Sequence, residues 1–333
     1  MTFHEKTIKS LRNLGVSSNS SLLITVSGGP DSLALAHVMQ SLRGTEAFAS
    51  VAVAHVNHQL RGDESNREEE AVRNYCKSRD VAFELKRVDT LRIAEHEKTG
   101  IEETARKLRY EFFEELTEKI GFDFVLTAHT ANDQAETVIL NMIRGSGVRG
   151  LAGIPPKRKL GDAFVIRPWL GVTKAEILEY LQEHHLIAAH DASNDELIFR
   201  RNQVRQKVMP ALEEVWPDRE PVKTLAALAE RMRELSIFLD TLAKEKLELL
   251  QEDGGLSIAG VQSLGGFLLH TVIEAWIHRE FGHYGLTSEE TPRIETWIAS
   301  TSPRMDLRRG LSLRKDGNIL RLESDGREMF YNE

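Results

Sequence analysis

Residues 27 to 32 of the chain read Ser27-Gly28-Gly29-Pro30-Asp31-Ser32, and this stretch decides the fold. The apolar run 22–26 precedes it, and the helix-compatible run 33–39 follows it. A buried strand that turns through two glycines into a helix leaves backbone N–H groups and the positive end of the helix dipole at one spot. This pattern predicts a phosphate-binding loop, with a plain strand-to-helix turn as the alternative.

The loop differs from two common phosphate-binding motifs. No Gly-Lys-Ser/Thr follows it, unlike in the P-loop of NTPases, and the third glycine of the dinucleotide fingerprint is missing. The loop therefore has to be interpreted together with the rest of the chain.

Strand-like and helix-like segments alternate through the first two thirds of the chain. Short apolar or β-branched runs occupy residues 21–26, 50–56, 82–88, 123–128 and 163–167. Helical patterns lie at about 31–43, 64–79, 101–120, 132–144 and 173–185. This alternation predicts an α/β fold with a doubly wound parallel sheet, in which ligands bind beyond the carboxyl ends of the strands.

The sequence changes character beyond Pro217. Amphipathic helical patterns cover 225–250, 265–281 and 294–298, and a terminal hairpin is predicted from 311–314 and 319–322. We therefore predict a catalytic domain at 1–217 and a small, mainly helical domain at 218–333.

Composition excludes several classes of protein. The 333 residues are 41% hydrophobic and 28% charged, and no stretch approaches the ~18 apolar residues that span a bilayer. The first residues contain no apolar signal segment, so we expect a cytoplasmic protein with no membrane partner. Cys76 is the single cysteine, which excludes an internal disulfide and any Cys-x-x-Cys site; we expect it to pack on a helix.

Charge is distributed unevenly along the chain. The net charge of −8 argues against nucleic-acid binding by the whole surface. Basic residues are concentrated in two segments, which we call basic bands. The first contains Arg144, Arg149, Lys157, Arg158, Lys159 and Arg167, and the second contains Arg200, Arg201, Arg205 and Lys207. Such bands can hold a phosphodiester strand, and solvated helix faces are the alternative.

Polar side chains follow the second predicted strand and occupy the helix at 101–120. His55, His58 and Arg61 come at the strand end, where a nucleotide or a phosphate would bind. Arg106 and Arg109 lie three residues apart on one helix face and could both reach a phosphate or a base edge. A polar capping loop and ion pairs within the helix are the alternatives.

A carboxylate pair follows the fourth predicted strand. His129 comes directly after the strand, and Asp133 and Glu136 lie three residues apart on one face of the next helix. Such a pair can hold nucleotide-bound Mg²⁺, or receive an ammonium group and help it to lose a proton. Ordinary acidic capping of the helix is the alternative.

The ordered set of motifs resembles a known family. S-G-G-x-D-S is similar to the loop of N-type ATP pyrophosphatases, which split ATP into AMP and pyrophosphate. The whole series resembles the tRNA(Ile)-lysidine synthetase family over roughly residues 20 to 210: S-G-G-P-D-S, H-V-N-H-Q-L-R, A-R-K-L-R-Y, H-x-x-x-D-x-x-E-T, R-G-S-G-V-R-G-L, R-P-W-L, D-A-S-N and R-N-Q-V-R.

The resemblance implies a ligase that uses ATP and Mg²⁺. This family adenylates the C2 oxygen of the first anticodon cytidine of an isoleucine tRNA with a CAU anticodon, and the ε-amine of L-lysine then displaces AMP. The implied catalytic residues are Asp31, Arg109, Asp133, Glu136 and Arg201, with Asp31 and Glu136 as the candidates for Mg²⁺. The implied ATP-binding residues are Ser27, Gly28, Gly29, Pro30, Asp31, Ser32, His55, His58 and His129.

The predicted tRNA contacts are Arg61, Arg106, Arg144, Arg149 and Arg205, and the second domain is expected to bind tRNA too. Arg144 and Arg149 belong to the glycine-rich loop at 144–153, which predicts a substrate lid or a nucleic-acid contact, with a plain connector as the alternative. Relatives commonly carry a second histidine and a second aspartate where this chain has Thr130 and Asn132. A tRNA thiolase of the same superfamily and a non-catalytic tRNA-binding module are the alternative functions. The sequence leaves open whether the protein is a monomer or a homodimer.

Overall fold

The computed structural model describes residues 2–45, 47–186, 200–282, 285–287 and 289–325. Contacts between Cα atoms divide the chain into two compact units. The first unit comprises Met1–Ser146 and Gly150–Glu230, and the second comprises Gly147–Arg149 and Arg231–Glu333. The domain boundary at residue 217 stays a prediction.

The first unit contains a six-stranded sheet with the order β3-β2-β1-β4-β6-β5. Its strands are β1 (Ser21–Thr25), β2 (Ser50–Asn57), β3 (Ala82–Arg87), β4 (Phe124–Leu126), β5 (Lys157–Leu160) and β6 (Ala163–Ile166). The five predicted strands are confirmed, and they pair in parallel. The antiparallel edge strand β5 was not predicted, because its sequence Lys-Arg-Lys-Leu lacks an apolar run. Lysine and arginine are common on exposed sheet edges.

The five predicted helices are also confirmed, with small shifts at their ends. The described helices through residue 250 are α1 (Phe3–Asn13), α2 (Pro30–Ser41), α3 (Asp63–Ser78), α4 (Thr90–Glu97), α5 (Ile101–Ile120), α6 (Ala131–Ile143), α7 (Val148–Leu151), α8 (Lys174–Glu183), α9 (Arg200–Gln203), α10 (Met209–Val215) and α11 (Pro221–Leu250). A π-helical segment at Val204–Val208 separates α9 from α10.

The central strand β1 is buried on both faces of the sheet. Leu22 and Ile24 enter one hydrophobic core, and Leu23 enters the other, because successive side chains of a strand point to opposite faces. Cys76 of α3 lies in the first core, as expected for a packing residue. Helices therefore cover both faces, and only the ends of the strands are left for a ligand.

The second unit combines helices with an antiparallel sheet. Its helices are α12 (Ile258–Gln262), α13 (Gly266–Phe281) and α14 (Glu290–Ala299), and its strands are β7 (Gln251–Glu252), β8 (Gly255–Ser257), β9 (Arg304–Asp306), β10 (Leu311–Asp316) and β11 (Ile319–Ser324). The predicted hairpin is confirmed as β10 and β11, and it is part of a five-stranded sheet. The other three strands are too short to be recognised from the sequence. Within the described ranges, no helix has the length and apolar character that spanning a membrane requires.

A buried carboxylate joins three elements of the first unit. Glu69 of α3 is only 2% exposed. It accepts hydrogen bonds from Asn57 at the end of β2 (3.0 Å), from Arg87 at the end of β3 (2.7 and 2.8 Å) and from Arg73 (2.9 Å). The Arg87 hydrogen bond is the largest of the effects that lower the pKa of Glu69 to about 2.

We predict that this network makes stability depend on pH. The pKa of Glu69 falls from 4.5 to about 2 on folding, so its carboxylate contributes fully above about pH 4.5, and this contribution is lost as the pH falls towards 2. Glu69→Gln should lower the free energy of unfolding at neutral pH by about 2 kcal/mol, a figure reduced because the guanidinium of Arg87 is exposed. Urea unfolding of the wild type and of Glu69→Gln should show a difference in the free energy of unfolding that becomes smaller at acidic pH.

The matched control is Glu70→Gln, because Glu70 is exposed and its ion pair with Arg73 is 3.8 Å long. This variant should unfold like the wild type at every pH. A difference between wild type and Glu69→Gln that stays constant down to about pH 3 would contradict the assignment.

Candidate active site at the carboxyl edge of the parallel sheet

The predicted phosphate-binding loop joins β1 to α2. Gly28 has φ +99°, a conformation that residues with a side chain rarely adopt, and Gly29 is the N-cap of α2. Pro30 occupies the first turn, where its missing N–H costs no hydrogen bond. The Ser27 N–H donates to Ser32 Oγ (3.2 Å), and this hydroxyl donates to the Gly29 carbonyl (3.0 Å). The loop is thus held in shape while Gly29 offers no side chain to cap the helix.

Helix α3 packs against this loop. A Cβ atom at Gly28 would lie 3.5 Å from Glu68 Cβ. The Glu68 carboxylate accepts two hydrogen bonds from Arg61 Nη2, at 2.8 and 2.9 Å. Arg61 therefore lies next to the loop with its charge balanced by a carboxylate.

Asp31 is the acidic residue of the loop, and Lys174 of α8 is its partner. Lys174 Nζ lies 3.5 Å from Asp31 Oδ2, and the Lys174 backbone N–H donates to Asn132 Oδ1 (2.9 Å). Burial raises the pKa of Asp31; Lys174 opposes this increase, and the nearby Asp133 adds to it. The sequence analysis missed Lys174, because a single lysine after a turn forms no motif. The sequence did offer one indication: Lys174 follows the fifth predicted strand (163–167), and ligands bind beyond the carboxyl ends of such strands.

Asp133 caps α6 and also pairs with a guanidinium group, whereas its role towards Mg²⁺ or an ammonium group stays a prediction. Its Oδ2 accepts hydrogen bonds from the backbone N–H and hydroxyl of Thr130, the N-cap of α6, both at 2.8 Å. Its Oδ1 accepts a hydrogen bond from Arg201 Nη2 at 2.9 Å. Burial raises the pKa of Asp133, but the charges of Arg201 and Lys174 and the hydrogen bond from the Thr130 backbone outweigh it and hold the pKa below its usual value.

Glu136 is buried, with 1% of its surface exposed, and two arginines contact it. Arg201 Nε donates to Glu136 Oε2 (2.9 Å), and Arg205 donates through Nε to Oε1 (2.6 Å) and through Nη2 to Oε2 (3.1 Å). The spacing of four residues places both guanidinium groups on one helix face. Arg205 lies in the π-helical segment 204–208, a rare geometry that is frequent at functional sites. We call Asp133, Glu136, Arg201 and Arg205 the ion-pair network.

His55 and His58 are held by their Nδ1 atoms. His55 Nδ1 donates to the Val26 carbonyl (2.7 Å), and His58 Nδ1 is hydrogen-bonded to Thr90 Oγ1 (2.9 Å). Burial lowers the pKa of His55; burial and the charge of Arg109 lower that of His58 to about 4. Within the described ranges, His58 Nε2 is buried without a hydrogen-bond partner. Both rings are therefore neutral at neutral pH, and Arg109 of α5 lies near the second.

His129 lies among charged groups. Its Nδ1 is hydrogen-bonded to Thr127 Oγ1 at 2.8 Å. Burial lowers the pKa of His129 to about 4; Asp133 opposes this shift, whereas Arg167 and Arg201 reinforce it. This ring too is neutral at neutral pH. It lies between the ion-pair network and the arginines Arg106 and Arg167, where it can act as a hydrogen-bonding group.

A cationic group surrounds Tyr110. The guanidinium carbons of Arg106 and Arg158 lie 5.0 and 4.4 Å from the centre of its ring, and Arg167 Nη2 donates to its hydroxyl (3.3 Å). Burial raises the pKa of Tyr110, but Arg167, Arg106 and Arg158 outweigh it and lower the pKa. Arg106 thus packs on an aromatic ring. The sequence analysis placed Arg167 in the first basic band and gave Tyr110 no role.

The two arginines of the glycine-rich loop have different environments. Arg144 is the exposed C-cap of α6, and no described residue forms an ion pair with it. Arg149 belongs to the second unit, where Asp240 (2.6 Å) and Glu274 (2.7 Å) neutralise it. The structure therefore leaves the charge of Arg144, but not that of Arg149, available to an anion.

Some sequence features lie elsewhere. The motif D-A-S-N at residues 191–194 is outside the described residues.

Within the described ranges, no cluster of three or more His, Cys, Asp or Glu side chains could hold a metal ion. Cys76 is buried, and burial raises the pKa of its thiol to about 11.

Comparisons with known proteins agree with this geometry. Residues 2–212 match the PP-loop domain family. A tRNA(Ile)-lysidine synthase of Chlorobaculum tepidum is 37% identical over 245 residues, which are 74% of this chain and 71% of the relative. A tRNA(Ile)-lysidine synthase of Coxiella burnetii is 35% identical over 292 residues, 87% of this chain and 62% of the relative. One of Clostridium acetobutylicum is 36% identical, and the matched region spans only half of its length.

A solved structure shows the same fold. The U34-tRNA thiolase NcsA from Methanococcus maripaludis, with its 4Fe–4S cluster, superposes with a TM-score of 0.56 at 18% identity. The superposition covers 69% of this chain and 79% of the thiolase. Matches to the PP-loop domain over residues 2–212 and to lysidine synthases over most of the chain lead to one conclusion: the chain belongs to the PP-loop family and, within it, to the tRNA(Ile)-lysidine synthases.

Proposed function

We propose that the chain ligates L-lysine to C2 of the first anticodon cytidine of an isoleucine tRNA with a CAU anticodon, using ATP and releasing AMP and pyrophosphate. The supporting observation is the contact series that links the phosphate-binding loop to the ion-pair network. Asp31 is paired with Lys174 and interacts electrostatically with Asp133, which is bonded to Arg201. The proposed nucleotide site and the proposed ammonium site would therefore adjoin.

In the first half of the proposed reaction, the site has to bind the pyrophosphate that leaves ATP. The C2 oxygen of cytosine is a poor leaving group until it carries an adenylyl group. In this step the oxygen attacks the α-phosphorus of ATP, and the bond to the β-phosphate oxygen breaks. The N–H groups at the start of α2 and the hydroxyls of Ser27 and Ser32 would hold the departing pyrophosphate.

The second half needs a free amine. The ε-ammonium of lysine has a reference pKa of about 10.4, so it is almost fully protonated at neutral pH. Asp133 and Glu136 would bind this ammonium and accept its proton, and its nitrogen would then attack C2 while AMP leaves. Arg201 and Arg205 would be released to hold the carboxylate of lysine. Arg109, next to His58, would face the cytidine or the adenylate.

The proposed Mg²⁺ would accompany ATP. Asp31 fits this ion, because its carboxylate is partly exposed beside the phosphate-binding loop. Glu136 fits less well, since both of its oxygens accept hydrogen bonds from guanidinium groups. Mg²⁺ usually takes one or two carboxylates together with substrate phosphates, so the absence of a larger acidic cluster in the described residues is consistent with this role. Such an ion would supply charge neutralisation to the leaving pyrophosphate.

The alternative functions are less well supported. Sulfur transfer needs a thiolate, whereas Cys76 is the single cysteine and its buried thiol has a pKa of about 11. A non-catalytic tRNA-binding module does not account for the phosphate-binding loop, in which Gly28 has φ +99° and Gly29 begins α2, with Asp133 nearby. We also propose a cytoplasmic location.

The proposed activity has a direct test. The purified chain is incubated with an isoleucine tRNA transcript bearing a CAU anticodon, ATP, Mg²⁺ and labelled lysine, and the label left on the RNA is counted after alkaline deacylation. Stable label that requires ATP supports the ligase. ATP consumption without label would indicate another acceptor, and bound tRNA with untouched ATP would indicate the binding module.

We predict that Glu136→Gln loses the chemistry and keeps nucleotide binding. The amide has the shape of the carboxylate but cannot accept a proton from lysine, so the rate of lysine incorporation should fall about 100-fold or more. ATP affinity should change less than about threefold, because Glu136 belongs to α6 and is not part of the phosphate-binding loop. Rates and affinities are measured together with thermal unfolding, since the variant leaves two guanidinium groups less well paired.

The exposed Glu179 of α8 offers the control, and Glu179→Gln should behave like the wild type. Normal incorporation by a folded Glu136→Gln protein would remove Glu136 from the proposed mechanism.

We predict different effects for the two arginines of the glycine-rich loop. Arg144→Ala should weaken tRNA binding and reduce the slope of log affinity against log salt by about one. Arg149→Ala should reduce that slope by clearly less, because Asp240 and Glu274 already neutralise this guanidinium. Filter binding at several salt concentrations measures both slopes. Equal slopes for wild type and Arg144→Ala would show that this residue does not contact the RNA.

A further inference from the structure

The phosphate-binding loop lacks a cation of its own. Residues 27–32 contain no lysine or arginine, unlike the P-loop of NTPases, in which a lysine contacts the phosphates. The end of a helix dipole offers about half a positive charge, whereas a departing pyrophosphate carries several negative charges. Another part of the chain has to provide a full positive charge.

Lys174 is placed to provide it. Its Nζ lies 3.5 Å from Asp31 Oδ2, and in the described part of the chain no other cation forms an ion pair with a residue of the loop. Arg201 and Arg205 lie against Asp133 and Glu136 instead. The ammonium is therefore next to the place where the phosphates would bind.

The backbone around Lys174 is fixed. Its N–H donates to Asn132 Oδ1 at 2.9 Å, and the Ala131 N–H donates to the Val172 carbonyl at 2.8 Å. Thr173 caps α8 through a reciprocal hydrogen-bond pair with Glu176. The start of α8 is thus attached to the start of α6. The backbone of Lys174 is fixed, whereas its four-carbon side chain can change conformation.

The contact between Lys174 and Asp31 is loose enough to be exchanged. Charge-assisted hydrogen bonds between N–H and a carboxylate are usually about 2.7–2.9 Å long. The separation here is 3.5 Å, and the Lys174 and Asp31 side chains keep 30% and 22% of their surfaces exposed. Ion pairs that solvent reaches contribute little stability, so a polyphosphate can replace the carboxylate as the partner of the ammonium.

We propose that Lys174 is a catalytic residue that contacts the β- and γ-phosphates of ATP. Its ammonium neutralises Asp31 in the free chain, moves to the phosphates when ATP binds, and remains on the pyrophosphate as that group leaves. Asp31 is then free of its partner. This inference rests on the proposed function for the identity of the reaction, but the contact with a polyphosphate can be measured without tRNA or lysine.

The experiment compares ATP with AMP. Lys174→Ala should weaken ATP binding about 10- to 100-fold in titration calorimetry, and it should leave AMP binding unchanged, because AMP lacks the two phosphates that Lys174 contacts. Inorganic pyrophosphate should lose affinity in the same way as ATP. Lys174→Arg should recover part of the lost affinity, since it restores the charge with another geometry.

The matched control is Lys6→Ala, because Lys6 forms an exposed ion pair with Glu176 on the same helix. This variant should bind all three ligands like the wild type. Unchanged ATP affinity in Lys174→Ala would overturn the inference, and equal losses for ATP and AMP would show that Lys174 only shapes the site.

Failure of this inference and failure of the proposed function can be told apart. Stable lysine label on tRNA together with normal ATP binding by Lys174→Ala would refute the role of Lys174 alone. Selective loss of ATP and pyrophosphate binding without any label in the wild type would support the phosphate contact and refute the ligase.

Discussion

The neutralisation of Glu136 is the interaction on which the site depends. A carboxylate with 1% of its surface exposed is stable only when opposite charges and hydrogen bonds replace its lost hydration. Arg201 and Arg205 provide both, and they come from a segment about 65 residues further along the chain. The ion-pair network therefore holds α9 and the π-helical segment against α6, where the small core formed by Ala135, Ile139 and Val204 adds apolar contacts.

The sheet order explains why this network adjoins the phosphate-binding loop. From β1 the chain first adds β2 and β3 on one side and then continues with β4 and β6 on the other. The loops that leave β1 and β4 therefore diverge at a topological switch point, which is where open α/β sheets bind ligands. One loop carries Asp31, and the other carries Asp133. Their helices begin at the same edge of the sheet, so the positive ends of both dipoles face the site.

The sequence contained enough information to predict the parallel sheet, and it proposed candidate site residues at the carboxyl ends of the strands. The strands that flank the phosphate-binding loop are apolar, and the order of their motifs identified the edge at which the polar residues meet. What the sequence could not show depends on contacts over long distances. Lys174 became recognisable only once folding placed it beside Asp31, and the pairing of Arg149 depends on Asp240 and Glu274, about 90 and 125 residues further along the chain. The edge strand β5 was missed because its basic residues suit a sheet edge and mask its strand character.

The ion-pair network also affects which solutes can bind to the site. Two unpaired carboxylates would attract potassium ions and polyamines, which are abundant in cells. Here each carboxylate already has a guanidinium partner, so a simple cation that entered would leave Arg201 or Arg205 without its counter-charge. A molecule with an ammonium at one end and a carboxylate at the other can satisfy both halves of the network at once. The free energy needed to separate these ion pairs reduces the affinity for every ligand, and it disfavours solutes that carry only one of the two charges.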